Sequence, residues 1–292
     1  MAKVVDPAIR EALLERVRFY RELGLTEFYR RTVEAQIEAE ETDGEHSSTA
    51  AQDQSSAAAV VEREGASLFA ENQSNEAEEH SIRSRKPFPA QPPVAAAVPA
   101  ADHAAALKII REEIGECTRC ALHKGRNKLV FADGDPNARL MFVGEGPGAD
   151  EDAQGLPFVG RAGQLLNNMI SAMGLKREQV YICNVVKCRP PGNRTPEPEE
   201  AHTCAPFLFK QIDVVRPQVI VALGATAATY LLGQRQPLAG LRGRVHAFRG
   251  AQLIVTYHPA FLLRDPRQKK EAWADLQIAM KELGLVKAAS SR

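Results

Sequence analysis

The chain from residue 103 to its end predicts an α/β fold, in which a parallel sheet carries helices on both faces. Short apolar runs of strand length alternate there with longer stretches of helical spacing, the pattern of strand–helix–strand units. Each run is almost wholly apolar, as expected for strands covered on both faces. We predict strands at 140–143, 180–186, 219–223 and 253–256, and helices at 104–114, 162–173, 198–215, 224–232 and 267–283.

Residues 1–38 form a separate segment with its own helical pattern. Asp6 is a suitable N-cap, Pro7 favours the first helical position, and apolar residues recur every three or four positions up to Leu23. The segment is too small to bury a core alone. It therefore either docks on the main domain or frays, or it forms a hairpin that binds a protein partner.

Residues 39–102 differ in composition from the rest of the chain. They are rich in Ala, Glu, Ser, Gln and Pro and poor in large apolar residues. Burial cannot then offset the entropy that ordering would cost. We predict a disordered linker, stiffer and more extended over the Pro/Ala-rich stretch 87–99, before a domain at 103–292.

Charge is divided unevenly along the chain. Residues 1–100 contain 11 Lys and Arg against 18 Asp and Glu, whereas residues 101–292 contain 26 against 19. The later part therefore suits a polyanionic partner without requiring one. The sequence shows no signal peptide and no apolar stretch of roughly 18–20 residues. We expect a cytoplasmic monomer that makes no membrane contact.

The cysteines are spaced for metal ligation. Thiols stay reduced in the cytosol, so clustered cysteines indicate a metal before a disulfide. Cys117 and Cys120 form a close pair, but 15 residues separate Cys188 from Cys204. That wide spacing favours an iron–sulfur cluster over zinc, with no metal as the third alternative. Cys183, inside a predicted strand, is expected to be a small buried residue.

Several residues with chemical potential follow directly after predicted strands. Ligands bind at the carboxyl ends of the strands in parallel sheets. Glu145, Asn184, Gly224 and His258 all lie at such ends. We therefore expect them to converge on one cleft.

The glycine-rich loop 144–148 could present its backbone amides to a ligand. It lacks the Lys-Ser/Thr of a phosphate-binding loop and the spacing of a dinucleotide fingerprint, so a simple turn is an equal alternative. The acidic run 150–152 follows at once. It could supply a carboxylate that orients water, or it could simply begin a helix.

Phe158, Asn184 and His258 each allow a ligand-binding and a structural interpretation. Phe158 lies near glycines and could stack on a flat base or pack in the core. Asn184 offers a donor and an acceptor to the edge of a pyrimidine, or could cap a turn. His258 could donate to a developing anion, or could be structural.

Residues 261–264 and several cations suit contact with nucleic acid. Leu262 or Leu263 could enter a base step with Arg264 at a phosphate, unless the stretch is only a connector. Taken singly, the cations near the candidate cleft are ordinary surface charges; as a set they could follow a phosphate backbone. They are Arg161, Lys187, Arg189, Arg194, Arg242, Arg244 and Arg264.

Taken together, the motifs of residues 115–285 resemble the type 4 uracil-DNA glycosylases, the iron–sulfur branch of that superfamily. Gly146 departs from the family motif, which often has Ala, and should be tolerated because the contact is mainly backbone. The 187–194 stretch has no histidine, unlike a related branch that traps the base covalently. The resemblance rests on CTRC at 117–120, GEGPGADED at 144–152, GLPFVG at 155–160, NVVKCRPP at 184–191, NRTP at 193–196, Cys204, and HPA at 258–260.

This resemblance implies a three-layer α/β/α domain with a four-stranded parallel sheet. It implies a DNA repair enzyme that flips uracil out of single- or double-stranded DNA and hydrolyses its N-glycosidic bond, leaving an abasic site. We expect a cluster without a redox role, which holds Arg189 and Arg194 for DNA contact. The implied cofactor is a [4Fe–4S] cluster on Cys117, Cys120, Cys188 and Cys204.

The same resemblance assigns roles within the cleft. Phe158 would stack on the base, Asn184 would distinguish uracil from cytosine, and His258 would stabilise the departing base. Glu145 and Glu151 are both candidates for the carboxylate that orients water. The implied uracil-binding residues are Gly144, Glu145, Gly146, Phe158, Asn184 and His258.

Overall fold

The structure, a computed structural model, describes Leu14 and residues 88–285. The predicted N-terminal segment, apart from Leu14, lies outside the described residues, and so does the predicted linker from 39 to 87.

A six-stranded mixed sheet forms the centre of the described domain. Its order is β1-β3-β2-β4-β6-β5. The four inner strands are parallel, whereas β1 and β5 pair antiparallel with β3 and β6 at the two edges. The strands are β1 (Asp133–Gly134), β2 (Leu140–Gly144), β3 (Tyr181–Asn184), β4 (Val219–Leu223), β5 (Val245–Phe248) and β6 (Ala251–Thr256).

Helices cover both faces of this sheet. Alternate residues of each inner strand enter two separate apolar clusters. Met141 and Val143 of β2 pack with α1, α4 and α5, whereas Leu140 and Phe142 pack with α3 and α8. No helix of the described residues is both long and apolar enough to span a membrane. The helices are α1 (His103–Ile114), α2 (Ala149–Gln154), α3 (Arg161–Ala172), α4 (Pro198–Val215), α5 (Ala225–Leu232), α6 (Leu238–Leu241), α7 (Pro259–Arg264) and α8 (Lys269–Glu282).

The predicted four-stranded sheet corresponds to the inner strands only. Strand β1 has two residues, and β5 is largely exposed, so neither carries the apolar run that marks a buried strand. Both exist through pairing with a neighbour, and β5 is brought back onto β6 by a turn with positive φ at Arg249 and Gly250. Helices α6 and α7 were not predicted because four to six residues are too few to show a helical period.

Residues 88–99, part of the predicted linker, form no helix or strand and are hydrogen-bonded to the domain. The Gln91 side chain donates to the Leu231 carbonyl at 2.9 Å, and the Ala95 amide donates to the Asp213 carboxylate at 3.0 Å. Arg249 donates to two proline carbonyls of the segment. These bonds join residues 88–99 to the domain, and the extension predicted for the stretch stays a prediction. The partners lie over a hundred residues away, which composition cannot reveal.

Candidate functional site

A cleft of about 650 Å³ opens at the carboxyl ends of the inner strands. The loops after β2, β3 and β6 and the beginning of α5 line it. The structure therefore brings together the residues predicted at the strand ends, together with part of the glycine-rich loop and two residues of the following motifs. The predicted residues that line it are Glu145, Gly146, Glu151, Phe158, Asn184, Gly224 and His258.

Two glycines allow close packing around the cleft. A Cβ atom on Gly144 would lie 2.3 Å from Asn184 Oδ1 and 2.5 Å from Phe158 Cζ, so any other residue would displace one of these side chains. A Cβ atom on Gly146 would lie 2.6 Å from Cγ2 of the buried Val186. An alanine here, which the family motif often has, would therefore require Val186 to move.

Phe158 packs in the core and also forms a wall of the cleft. Its side chain is only 5% exposed, and its ring centroid lies 5.6 Å from that of His258, with 33° between the ring planes. Its φ of +53° is unfavourable for a non-glycine residue, at a cost of about 1–3 kcal/mol. Gly163 makes room for this conformation, since a Cβ atom there would lie 1.9 Å from the Phe158 carbonyl oxygen. The core packing of Phe158 is therefore confirmed, and its stacking on a base stays a prediction.

Glu151 is bonded to the loop that carries Phe158. Its Oε1 accepts the amides of Val159 and Gly160, both at 2.9 Å, and its Oε2 accepts the amide of Gly148 at 3.0 Å. Three charge-assisted hydrogen bonds compensate this nearly buried carboxylate. The acidic run begins helix α2, which was the structural alternative for it.

Asn184 carries an acceptor without a partner. The side chain is 1% exposed, and its Oδ1 atom makes no hydrogen bond among the described residues. Such a buried acceptor costs about 1–3 kcal/mol when it stays unpaired. Because Asn184 lines the cleft, a ligand with an N–H group would satisfy it.

The surroundings of His258 keep its imidazole neutral and leave one ring N–H free to donate. It is the N-cap of α7, and its Nδ1 atom accepts the amide of Ala260 at 3.1 Å, so the ring proton lies on Nε2. Burial, helped by the positive charge of Arg264 and opposed by Glu151, lowers the pKa of His258 to about 4. The imidazole is therefore uncharged at neutral pH and can donate through Nε2.

Glu145 faces the cleft with one partner that the sequence did not indicate. The Thr226 hydroxyl, in the first turn of α5, donates to its carboxylate. Both residues line the cleft. A threonine shortly after a strand-end glycine was the available signal, but its pairing with a residue 81 positions away could not be read from the sequence.

The four predicted ligand cysteines line one cavity beside the end of α1 and the first half of α4. All are free thiols. Arg119 donates to the sulfur of Cys117 at 3.3 Å, and Arg126 donates to that of Cys188 at 3.5 Å. Burial raises the pKa of the Cys188 thiol.

In the described part of the chain, no three His, Cys, Asp or Glu side chains are grouped so as to hold a metal ion. Cys183 is buried away from this cavity, as expected.

The family model described as "Uracil DNA glycosylase superfamily" matches residues 131–277. The chain belongs to this superfamily. It is 48% identical over 161 residues to the type-4 uracil-DNA glycosylase of Thermotoga maritima, across 54% of this chain and 84% of that protein. It is 45% identical over 178 residues to the type-4 enzyme of Pyrobaculum aerophilum, across 58% and 91%. These relatives confirm the resemblance to type 4 and the predicted class of enzyme, a uracil-DNA glycosylase.

The two leucines of α7 in this superfamily member lie in different environments. Leu262 is 1% exposed and packs in the core with α3 and α8, so the prediction that it could contact DNA is wrong. Leu263 is 37% exposed and remains the candidate, with Arg264 beside it at the cleft. One residue along a helix turns a side chain by about 100°, which decides between the two.

The predicted DNA-contacting cations also differ in their surroundings. Lys187 is buried and donates to the Asn184 carbonyl at 2.8 Å, and Arg242 is paired with Asp275 at 2.7 Å. Neither is therefore free to follow a phosphate backbone. Those that line the cleft are Arg161, Arg194 and Arg264.

Arg189 and Arg194 lie in the loop between β3 and α4. Arg189 is partly buried and donates to the Asn193 side chain at 2.8 Å. Arg194 forms a two-pronged pair with Glu200, at 2.7 and 2.9 Å. Glu200 lies in the first turn of α4, the helix that carries Cys204, so this pair joins the rim of the cleft to the wall of the cysteine cavity.

Proposed function

We propose that this protein removes uracil from DNA by hydrolysing the bond between the base and the deoxyribose, and leaves an abasic site. The Asn184 Oδ1 atom, which has no hydrogen-bond partner among the described residues, carries the proposal. It lies in one cleft with an aromatic face and a neutral histidine donor. A pyrimidine with an N–H group at position 3 meets all three.

Recognition of the base would depend on Asn184 and Phe158. Uracil has a hydrogen on N3, which Asn184 Oδ1 would accept. Cytosine has a lone pair there, so two acceptors would face each other and leave a buried acceptor unpaired. Stacking on Phe158 would add about 1–3 kcal/mol for any base. The target nucleotide would first have to leave the duplex, since the reacting bond is enclosed in the stack.

Departure of the base would be assisted by His258. Cleavage of the C1′–N1 bond leaves negative charge on the ring of the base. A neutral imidazole with its proton on Nε2 needs no proton transfer to stabilise this charge, and the backbone amide of Gly146 would act in the same way. One such donor is typically worth about 2.7–4 kcal/mol of the barrier.

Glu145 is the better candidate for orienting the attacking water. The Glu151 carboxylate already accepts three backbone amides, two at Oε1 and one at Oε2. Among the described residues, the Glu145 carboxylate accepts a hydrogen bond only from the Thr226 hydroxyl, so lone pairs remain for water. We therefore assign Glu151 to the loop and Glu145 to the water.

The cysteine cavity fits a [4Fe–4S] cluster. Four cysteines line it, and two guanidinium groups donate to the sulfurs of Cys117 and Cys188. Cys117, Cys120, Cys188 and Cys204 would hold the group. When bound, it would supply four covalent links between three separate parts of the chain. Through the Arg194–Glu200 pair, these links would steady the DNA-facing loop.

The partner would be uracil-containing DNA, single- or double-stranded. An oligonucleotide with one uracil, in either form, tests the proposal when it is followed by alkaline cleavage at abasic sites. We expect cleavage at uracil and none at cytosine in the same position. Binding without an abasic product would instead indicate a non-catalytic nucleic-acid-binding protein. Hydrolysis of free deoxyuridine would indicate a nucleoside hydrolase.

A further inference from the structure

The loop that carries Phe158 is held from two sides by opposite charges. On one side, Glu151 accepts the amides of Val159 and Gly160. On the other side, Arg177 donates to the carbonyls of Pro157 and Phe158, at 2.6 and 3.1 Å. Nothing in the motifs of the family or in the expected site includes Arg177, which lies 19 residues after Phe158 in a short helical turn before β3.

Arg177 is itself held in place. Its Nε atom donates to Asp133 at 2.8 Å, and its Nη1 atom donates to the Asn167 side chain at 2.9 Å. Asp133 belongs to the edge strand β1, and Asn167 belongs to α3. One guanidinium group therefore joins the edge of the sheet, a helix and the loop, in the fixed fork geometry that only arginine provides.

Such a clamp is required because Phe158 has an unfavourable backbone. A positive φ at a non-glycine residue persists only where the surroundings over-determine it. Arg177 binds the carbonyls at positions 157 and 158, and Glu151 binds the amides at positions 159 and 160, so the backbone is held on both sides of Phe158. Gly163 and Gly144 leave the space that its carbonyl and ring occupy.

We infer that Arg177, acting with Glu151, is a positioning residue that fixes the stacking face of Phe158 in the uracil cleft. The inference rests on the proposed function for its effect on activity, but not for its effect on the loop. Arg177 touches no substrate, since it does not line the cleft. A misplacement of about 1 Å in a reacting geometry can cost about 100-fold in rate.

Amide hydrogen exchange of the unliganded full chain tests the clamp without reference to activity. In Arg177→Gln, the amides of Val159 and Gly160 should exchange at least several-fold faster, while those of β4 stay unchanged. The matched control is Arg139→Gln. Arg139 also donates to a side-chain amide and to a backbone carbonyl, but it precedes β2 at the opposite end of the strands. Unchanged exchange at Val159 and Gly160 would overturn the inference.

Activity measurements then separate positioning from general stability. Arg177→Gln should lower kcat/KM for uracil excision by roughly 10- to 100-fold. Arg177→Lys should lower it less, and Arg139→Gln should leave it unchanged. In a Phe158→Leu background, which lacks the aromatic face, the further cost of Arg177→Gln should fall to about twofold or less, because coupled residues are not additive. An equal loss in both backgrounds would also overturn the inference. Absence of excision by the parent protein would refute the proposed function, and the exchange experiment would still decide the clamp.

Discussion

The cleft and the cysteine cavity lie in the same domain, but they are held together in different ways. In the cleft, Glu151 and His258 already have protein partners, at 2.9–3.0 Å for Glu151 and 3.1 Å for His258. In the cavity, four cysteines line the wall, and two arginines donate hydrogen bonds to the sulfurs of Cys117 and Cys188. The cleft is therefore preorganised by the chain, whereas the cavity is completed by the group that it would bind.

Mutations in the two regions should therefore have different effects. Removing a side chain from the cleft should change the chemistry and leave the fold, because its neighbours keep their own bonds. Removing a cysteine should change the fold, because separate parts of the chain then lose their link.

The largest effect is expected at the cysteines. A structural metal can contribute on the order of 10 kcal/mol to folding, so Cys188→Ala should lose its iron and unfold at a markedly lower temperature. Iron content per protein and thermal unfolding measure this. Cys183→Ala is the matched control, since Cys183 is buried outside the cavity. This variant should keep its iron. Full iron content in Cys188→Ala would contradict the ligand assignment. Retained DNA affinity without any cluster would contradict its role in positioning the loop.

The next effect concerns the leaving base. His258→Gln should lower the single-turnover rate of uracil release by about 100- to 1,000-fold, the usual cost of one preorganised donor, with unfolding at pH 7 little changed. His246→Gln serves as the control because His246 bonds to the Leu241 carbonyl and lies outside the cleft. Equal rates for both variants would remove His258 from the mechanism.

The same histidine predicts how stability depends on pH. In the unfolded chain its pKa is near 6.5, and in the folded protein burial lowers its pKa to about 4. Between these values the unfolded chain binds the proton and the folded protein does not, so acid favours unfolding. The stability that depends on neutral His258 is complete above about pH 6.5 and is lost as the pH falls towards 4. The difference corresponds to about 3 kcal/mol.

Urea unfolding of the parent and of His258→Gln between pH 4 and 7.5 isolates this contribution. Glu151 and Arg264 are the charged groups that act on the ring, and both are present in the two proteins. The parent should lose more stability than the variant on acidification. Parallel curves would show that His258 is not held neutral by its surroundings.

The smallest effect is expected at the rim of the cleft. Leu263→Ala should reduce excision from duplex DNA by about tenfold and leave single-stranded substrate unaffected, because only the duplex has a vacated space to fill. Its stability should change by less than about 0.5 kcal/mol. Leu262→Ala provides the contrast, since loss of a buried leucine side chain costs about 2–5 kcal/mol. Similar behaviour of the two variants would contradict the division of α7 into a core face and a DNA face.

Local patterns predicted much of the fold. The four inner strands and the helices α1, α3, α4, α5 and α8 lie within a few residues of their predicted positions, because burial on both faces leaves an apolar run in each strand. The edge strands β1 and β5 could not be predicted, since they take their form from a neighbour. The hydrogen bonds of segment 88–99 could not be predicted either, because they join it to arginine and carboxylate groups from distant parts of the chain.

Within the candidate site, the order of the motifs indicated which residues belong together, and the strand ends indicated where. Only the tertiary structure separated Leu263 from Leu262, tied Glu151 to the loop, left Asn184 Oδ1 without a partner and brought Arg177 to Phe158. The physical reason is the range of the interactions. Apolar periodicity and strand ends are properties of neighbouring residues, whereas hydrogen bonds and burial join residues that only the folded chain brings together.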